Sequence, residues 1–276
     1  MSEGTMSEGA IVLELRNLGI RSRDRVILAG VDVTVQAGRV TALCGPSGAG
    51  KSVTARACMG VVDVAPGLTS GSLRYPAYSG DRDWFAGMID AGRRGPARLL
   101  EATRELRGGY MSYSPQAASS ALNPGRTIGR QLEMAVDRRA IAVPAADRPA
   151  LFRDLLEEVG LAPWVAGSVP GELSGGMCQR AALAIAIAPA PKVLLADEPE
   201  TGLDPVLRRQ VVELLVTVGR AHGCGILLIS HHEDTVARIA DVIVRLEPPA
   251  GTGGPASGLQ VLEGPLTPSR GTPGAA

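Results

Sequence analysis

The chain has 276 residues, enough for one large domain or two small ones, and its 45% hydrophobic content can build a sizeable core. Lysine plus arginine and aspartate plus glutamate balance at 28 each, which argues against strong attraction to nucleic acid or to an anionic membrane. No stretch approaches about 18 uninterrupted apolar residues, so we expect any membrane association to come through a partner.

The two ends of the chain predict little regular structure. Residues 1–10 are polar and acidic and predict a disordered leader, without the basic and apolar pattern of a secretory signal. Residues 248–276 are rich in proline, glycine and serine and predict a flexible tail, in which only residues 259–262 resemble a strand. The four cysteines form no C-x-x-C pair, so we expect small apolar side chains in a reducing compartment.

The stretches between these ends predict an α/β protein. Residues 11–36 contain two runs rich in β-branched side chains and predict an antiparallel layer at the N-terminus. Helical spacing of apolar residues predicts a helical subdomain at about residues 117–175. Apolar runs at residues 193–196 and 226–229 alternate with helical stretches, which favours a mostly parallel sheet.

Residues 45–52 read GPSGAGKS and fit the phosphate-binding loop, in which Gly, four residues and Gly-Lys-Ser/Thr follow one another. An apolar run at residues 40–44 precedes the loop, and a helix-compatible run follows it. Glycines let backbone N–H groups point at phosphate oxygens, and the helix N-terminus adds partial positive charge. Lys51 would then reach the β- and γ-phosphates and the Ser52 hydroxyl would bind Mg²⁺, whereas the alternative is an ordinary glycine-rich turn. The predicted nucleotide contacts in this loop are Gly45, Pro46, Ser47, Gly48, Ala49, Gly50, Lys51 and Ser52.

Polar side chains follow the later apolar runs, and such groups cluster at the carboxyl edge of an open parallel sheet. Asp197 would hold Mg²⁺ directly or through water, and Glu198 would act as general base; the alternative for this pair is a solvated turn. His231 would contact the γ-phosphate or orient water, although a structural role is the alternative for a single histidine. His232 is adjacent, but only one of two neighbouring strand-end residues easily faces the same site.

Two further sequence features indicate a nucleotide site less directly. One is a weak indication, and the other predicts a site that one chain does not complete. Gln116 follows a strand-like run and offers an amide oxygen to Mg²⁺ or to water. Ser174, Gly175 and Gly176 open a helix and predict a second anion-binding nest. One chain cannot easily fold both nests onto one phosphate group, so we expect the second nest to serve the nucleotide of another subunit.

The ordered set of motifs resembles the ATP-binding subunit of ABC transporters. The matching segments are residues 45–52 for Walker A, Gln116 for the Q-loop, residues 173–177 for LSGG(Q), residues 193–198 for Walker B, residues 201–204 for the D-loop and His231 for the switch histidine. The resemblance covers roughly residues 11–247 and implies a P-loop NTPase core with a mostly parallel sheet, an N-terminal antiparallel β layer and an inserted α-helical subdomain. It also implies a head-to-tail dimer with two ATP between Walker A of one subunit and LSGG of the other. The implied roles are catalysis for Glu198 and His231, metal binding for Ser52, Gln116 and Asp197, and ATP contact in trans for Ser174, Gly175, Gly176 and Asp204.

Finer features are similar to the dipeptide, oligopeptide and nickel importers. They are the LSGGM-x-Q-R variant at residues 173–180, Ala-Leu-Asn-Pro at residues 121–124 and Thr-Ile-Gly at residues 127–129. The resemblance implies ATP and Mg²⁺ as cofactors and transmembrane permease subunits as partners. It further implies a second ATPase subunit, with a heterodimer favoured, an extracellular solute-binding protein as indirect partner, no nucleic acid, and a location at the cytoplasmic face of the cell membrane.

Two other functions remain open at this point. A soluble ABC ATPase in nucleic-acid repair or translation usually carries coiled-coil insertions or tandem units, whereas this chain has one phosphate loop and balanced charge. A non-catalytic nucleotide-binding subunit paired with an active one is the second alternative. The presence of Lys51, Glu198 and His231 argues against it.

Two positions depart from the family pattern. The family places an aromatic residue upstream of Walker A to stack on adenine, but residues 20–23 here are Ile-Arg-Ser-Arg. The planar guanidinium of Arg23 could stack on the base instead. Glu200 stands where the family often has threonine.

Overall fold

The computed structural model describes residues 7–114, 121–201, 205–246, 256–257 and 259–263. Its strands build two sheets, and its helices lie between consecutive strands. The strands are β1 (Ile11–Ser22), β2 (Val26–Gln36), β3 (Val40–Cys44), β4 (Pro66–Arg74), β5 (Met111–Ser114), β6 (Val193–Asp197), β7 (Gly225–Ile229), β8 (Val242–Leu246), β9 (Ala256–Ser257) and β10 (Leu259–Glu263). The helices are α1 (Lys51–Cys58), α2 (Pro76–Ser79), α3 (Gly95–Ala102), α4 (Ile128–Val136), α5 (Arg148–Glu158), α6 (Gly175–Ile187), α7 (Pro205–Ala221) and α8 (Glu233–Ile239).

The N-terminal layer is a sheet with strand order β4-β1-β2-β9. β1 pairs antiparallel with β2, with Leu15 opposite Val33, and antiparallel with β4 on its other side. Leu13 and Leu15 of β1 and Val33 and Val35 of β2 are buried, as expected when every second side chain points to one face. The predicted antiparallel layer is therefore confirmed.

The second sheet has strand order β10-β8-β3-β7-β6-β5, and every pair from β8 to β5 is parallel. β3 lies in its middle, so that Thr41 is opposite Leu227 on one side and Val242 on the other. β3 and β7 are buried along their whole length, which explains their continuous apolar sequences. Because the strands are parallel, the residues that follow β3, β6 and β7 meet at one edge.

Helices α4, α5 and α6 pack onto the same core as this sheet. Ile128 and Leu132 of α4 and Leu155 of α5 belong to one buried cluster with Leu194 of β6 and Ile226 of β7. Helix α5 ends before Gly160, whose φ of 72° suits a residue without a side chain. Helices α4 and α5 fall within the predicted helical region at about residues 117–175, whereas α6 follows it. The α/β fold class is confirmed.

The described parts of both chain ends differ from the expected leader and tail. Gly9 donates its N–H to the carbonyl of Ala37 at 3.1 Å, and Ala37 donates to the carbonyl of Ala10 at 2.8 Å. In the tail, β10 pairs antiparallel with β8, and β9 pairs parallel with β2. These segments satisfy main-chain groups of strands that would otherwise be sheet edges. β10 agrees with the strand-like pattern of residues 259–262. Composition does not indicate the non-local pairing of residues 9–10 or of β9, and neither was predicted from the sequence.

The cysteines behave as the sequence predicts. All four are thiols with buried side chains. Burial raises the pKa of the Cys58 and Cys224 thiols to about 12 in each case, so both stay protonated and unreactive. In the part of the chain that the structure describes, no helix combines the length and the apolar character needed to cross a bilayer.

Candidate nucleotide site at the carboxyl edge of the parallel sheet

The phosphate loop connects the end of β3 to the start of α1. Gly45, Gly48 and Gly50 have φ angles of 144°, 81° and 92°, a region that favours glycine. A Cβ on Gly45 would lie 2.4 Å from the carbonyl oxygen of Leu246, and one on Gly50 would lie 2.5 Å from Leu28 Cδ2. The backbone of β8 therefore excludes a side chain at Gly45. At Gly50 a side chain would have to displace the end of the Leu28 side chain, and the positive φ also favours glycine.

Gly48 has a different environment from Gly45 and Gly50. A Cβ on Gly48 would meet no atom of the described residues within 4 Å, and the residue is exposed. Among these observations only the positive φ favours glycine at this position. Its backbone N–H is one of the loop groups that a phosphate would approach.

Lys51 is the first residue of α1 and is only 7% exposed. Its Nζ donates to the carbonyl oxygens of Gly45 at 2.8 Å and of Pro46 at 3.1 Å. Two carbonyl groups of the phosphate loop thus hold the Lys51 ammonium group in place. An ammonium has three N–H donors, so these two bonds leave it able to bind a further oxygen.

Ser52 of α1 and Asp197 at the end of β6 are in contact. The Ser52 hydroxyl donates to Asp197 Oδ1 at 3.3 Å, and the Tyr113 hydroxyl donates to Asp197 Oδ2 at 3.1 Å. Burial raises the pKa of Asp197, while the bonds from Tyr113 and Ser52 act in the opposite direction. A hydroxyl and a carboxylate are the hard oxygen ligands that Mg²⁺ prefers, so these residues fit the predicted metal.

Glu198 adopts a left-handed backbone with φ of 47°, which costs a non-glycine residue about 1–2 kcal/mol. Its backbone N–H donates to the carbonyl of Ile229 at 3.0 Å, which ties the residue to the end of β7. Thr201 Oγ1 donates to Glu198 Oε2 at 3.2 Å, and His231 Nδ1 lies 3.4 Å from Glu198 Oε1. Strained residues of this kind concentrate at functional sites, and this strain places the carboxylate beside the histidine.

The two adjacent histidines occupy different places. His231 lines the cleft with Glu198. The His232 ring lies beside the His231 ring, tilted by 43° with centroids 4.0 Å apart, and is not among the described lining residues. Burial lowers the pKa of His232, and the nearby His231 and Arg208 lower it further. The backbone N–H of His232 donates to Ser230 Oγ at 3.0 Å. The structure thus brings His231, and not His232, to the predicted site.

Part of the phosphate loop, Lys51, Glu198 and His231 border a cleft of about 690 Å³, whereas Ser52 and Asp197 are not among its described lining residues. It is lined by residues from β3, the phosphate loop, α1, the loop after β6, the end of β7 and the end of β8: Cys44, Gly45, Pro46, Ser47, Lys51, Glu198, Ser230, His231, Arg245 and Leu246. Arg245 was not anticipated from the sequence. The sequence feature that could have indicated Arg245 is its position as the single charged residue of the otherwise aliphatic strand Val242–Leu246. Arg23 does not belong to the described lining, and its side chain is exposed.

The second predicted nest lies at the start of α6. Ser174 accepts a hydrogen bond from the Met177 N–H at 3.3 Å and caps the helix. Ser174, Gly175 and Gly176 are exposed, and none of them belongs to the described lining of the cleft. A Cβ on Gly175 or Gly176 would meet no atom of the described residues within 4 Å, and neither residue has positive φ. The described part of the chain therefore gives no packing or backbone reason for glycine at either position.

Two predicted site residues, Gln116 and Asp204, lie outside the described residues. Glu200 is described and links two loops of the site. Glu200 is completely buried, and its Oε1 accepts a hydrogen bond from the buried Ser230 hydroxyl. Within the described part of the chain, its second oxygen has no hydrogen-bond partner. Glu200 thus links the loop that carries Glu198 to the loop that carries His231.

A glycine-rich strand–loop–helix that faces an acidic pair and a histidine at the carboxyl edge of a parallel sheet defines a P-loop nucleotide-binding protein. Residues 28–201 match the model of the ABC transporter family. The chain belongs to this family.

Relatives and solved structures agree with this assignment. A Brucella melitensis protein, whose name assigns it to peptide import as an ATP-binding protein, is 34% identical over 81% of this chain; the match spans 64% of the length of that relative. The nickel import ATP-binding protein NikD of Pseudomonas putida is 34% identical, over 86% of this chain and 84% of its own. The structure of cbiO1 from Clostridium perfringens has a TM-score of 0.66 at 24% identity and covers 86% of this chain and 84% of its own, which shows a shared fold.

Proposed function

We propose that the protein is the ATP-hydrolysing, energy-coupling subunit of an ABC-type importer for peptides or for nickel or other metal complexes. ATP-dependent closure of a dimer would drive a membrane permease. The observation that carries the proposal is the exposed Ser174-Gly175-Gly176 nest, which lies outside the cleft that holds Lys51 and Glu198. Two incomplete anion sites on one chain fit a composite site that a second ATPase subunit completes.

The residues of the cleft support ATP as the substrate. Lys51 and the loop 45–52 would bind the phosphates, and the N-terminus of α1 adds favourable charge. Ser52 and Asp197 would hold Mg²⁺, together with Gln116 by family resemblance. The metal would neutralise charge on the phosphate oxygens.

The remaining polar residues would act on water and on the transferred phosphate. Glu198 would take a proton from the attacking water, and the Thr201 hydroxyl and His231 hold its carboxylate in the cleft. His231 would also contact the γ-phosphate. Asp204, Ser174, Gly175 and Gly176 would reach the nucleotide of the facing subunit.

The importer branch and its partners rest on the named relatives. One relative is named for peptide import and another for nickel import, which supports an importer over a soluble ATPase of repair or translation. Its partners would be permease subunits, a second ATPase that differs from this chain, and indirectly an extracellular solute-binding protein, with no nucleic acid. The protein would sit at the cytoplasmic face of the cell membrane, with residues 11–247 as the ATPase domain and residues 117–175 as its helical subdomain.

Replacing Gly176 by aspartate tests the composite site. The substitution puts a carboxylate in the first turn of α6, where the helix dipole stabilises it by up to about 1 kcal/mol, so the melting temperature should stay equal or rise. The same charge would repel the phosphates of a facing subunit's nucleotide. We expect ATP binding by the isolated chain to be unchanged and ATP hydrolysis to fall at least about tenfold, equivalent to about 1.4 kcal/mol in the barrier.

The matched control for this test is Gly167→Asp. A Cβ added to Gly167 would likewise meet no atom within 4 Å, and the residue lies away from the start of α6 in the chain. Hydrolysis should be unaffected in this variant. Unchanged hydrolysis in Gly176→Asp would reject the nest as part of a composite site.

Replacing Gly48 by alanine tests phosphate binding by the loop at residues 45–52. No atom of the described residues lies within 4 Å of a Cβ on Gly48, so the chain should fold. The new methyl group would crowd a backbone N–H through which the loop is proposed to bind phosphate. One weakened hydrogen bond to a charged phosphate is worth about 1.5 kcal/mol or more, so ATP affinity should fall about tenfold. Gly87→Ala, with φ of 72° and equally open surroundings, reproduces the backbone strain away from the cleft. If both variants lowered ATP affinity equally, backbone strain would explain the loss of affinity, and disturbed phosphate binding by the loop at residues 45–52 would not.

A further inference from the structure

We propose that Tyr113 is a positioning residue, which orients the Asp197 carboxylate so that Oδ1 faces Ser52 and the metal site between them. The inference rests on the proposed function, because it assigns a role toward the Mg²⁺ that accompanies ATP. It concerns a side chain on β5 that belongs to none of the motifs recognised in the sequence.

The geometry divides the two carboxylate oxygens between two donors. Oδ1 accepts from the Ser52 hydroxyl at 3.3 Å, and Oδ2 accepts from the Tyr113 hydroxyl at 3.1 Å. The terminal torsion of aspartate is broad, so the carboxylate plane is poorly fixed by rotamer preference alone. A donor on each oxygen fixes that plane and leaves Oδ1 beside Ser52, where a hard cation would be held.

The position of β5 in the sheet places the Tyr113 hydroxyl where it can donate this bond. β5 pairs directly with β6, with Tyr113 opposite Leu195, which brings the ring next to the end of the strand that carries Asp197.

The phenol ring has a second environment that determines the choice of variant. Tyr113 is 37% exposed and lines a groove with Asn123, Arg126, Gln131 and Met134. Removing the whole ring would change this groove and the packing of β5. Tyr113→Phe keeps the ring in place and removes only the hydroxyl that bonds to Asp197.

The experiment measures nucleotide binding and not turnover. ATP affinity of wild type and Tyr113→Phe is determined by calorimetry in EDTA and across a Mg²⁺ titration. We expect the two proteins to bind ATP with equal affinity in EDTA. The Mg²⁺ concentration that gives half of the metal-dependent gain in ATP affinity should be about tenfold higher for Tyr113→Phe. This is the effect of losing one hydrogen bond to a charged group. In an Asp197→Asn background, the same Tyr113→Phe change should have no effect on the Mg²⁺ dependence.

The control is Tyr78→Phe, which removes the hydroxyl of a phenol that is 47% exposed and packs on Trp84 and Tyr110. Its Mg²⁺ dependence should equal that of wild type. An unchanged half-saturation in Tyr113→Phe, or an equal loss of affinity in EDTA and in Mg²⁺, overturns the proposal. Absence of any Mg²⁺-dependent ATP binding in the wild type would instead refute the proposed function, and so the two failures are distinguishable.

Discussion

Replacement of Glu198 by glutamine is expected to lower the ATP hydrolysis rate by about 10²–10⁴-fold, the usual contribution of a positioned general base. Glutamine has the same shape, and its amide oxygen can still accept the bond from Thr201 that the carboxylate accepts at 3.2 Å. It cannot take a proton from water. ATP should therefore bind with nearly unchanged affinity but persist in the site, and a dimer with the second ATPase subunit should accumulate when that subunit is present.

Single-turnover hydrolysis and light scattering with and without ATP and Mg²⁺ measure the two effects of Glu198→Gln separately. The matched control is Glu157→Gln, which makes the same chemical change at an exposed position of α5. It should hydrolyse ATP at the wild-type rate. A Glu198→Gln protein with turnover close to wild type would reject Glu198 as the base, whatever its oligomeric state.

Replacement of Lys51 by alanine is expected to remove nucleotide binding from the usual assay range. The Lys51 ammonium is 7% exposed and is held by the loop carbonyls, so it is already placed for a phosphate oxygen. Loss of a charge-assisted bond of about 1.5–3 kcal/mol lowers affinity about 10- to 150-fold. The carbonyls of Gly45 and Pro46 would also lose their donor and face the phosphates directly.

The chain offers a matched control for Lys51→Ala, because Lys192 is its only other lysine. Lys192 precedes β6 at the end of the strand opposite the cleft, so Lys192→Ala should bind ATP like the wild type. Fluorescent nucleotide titration of both variants gives the comparison, and thermal unfolding shows whether each is folded. Unchanged ATP affinity in a folded Lys51→Ala protein would contradict the phosphate-loop assignment.

Local patterns predict much of the site because its parts follow strands of one parallel sheet. The loop 45–52 has the predicted strand before it and the predicted helix after it. Asp197 ends β6, and His231 follows β7, its neighbour in the sheet, so both reach the same edge. Because these strands end at the same edge of the sheet, residues from separate sequence motifs meet at one site.

Residues whose role depends on pairing between distant strands were not predictable. Tyr113 reaches Asp197 because β5 lies beside β6, which no local pattern around residue 113 reveals. Arg245 enters the cleft because β8 lies beside β3, with Arg245 opposite Cys44. The pairing of β10 with β8 was likewise hidden by the proline- and glycine-rich composition around it. The roles of Gln116 and Asp204 stay predictions from the family resemblance.

The exposed glycines at the start of α6 have a consequence for how this sequence can change over time. Glycine is less favourable than alanine in a helix by up to about 1 kcal/mol, and no neighbouring atom of the described chain excludes a side chain at Gly175 or Gly176. Folding of the described chain therefore does not require glycine at either position. In the proposed composite site the facing subunit imposes that requirement, so a chain without its facing subunit could exchange both glycines and keep its fold.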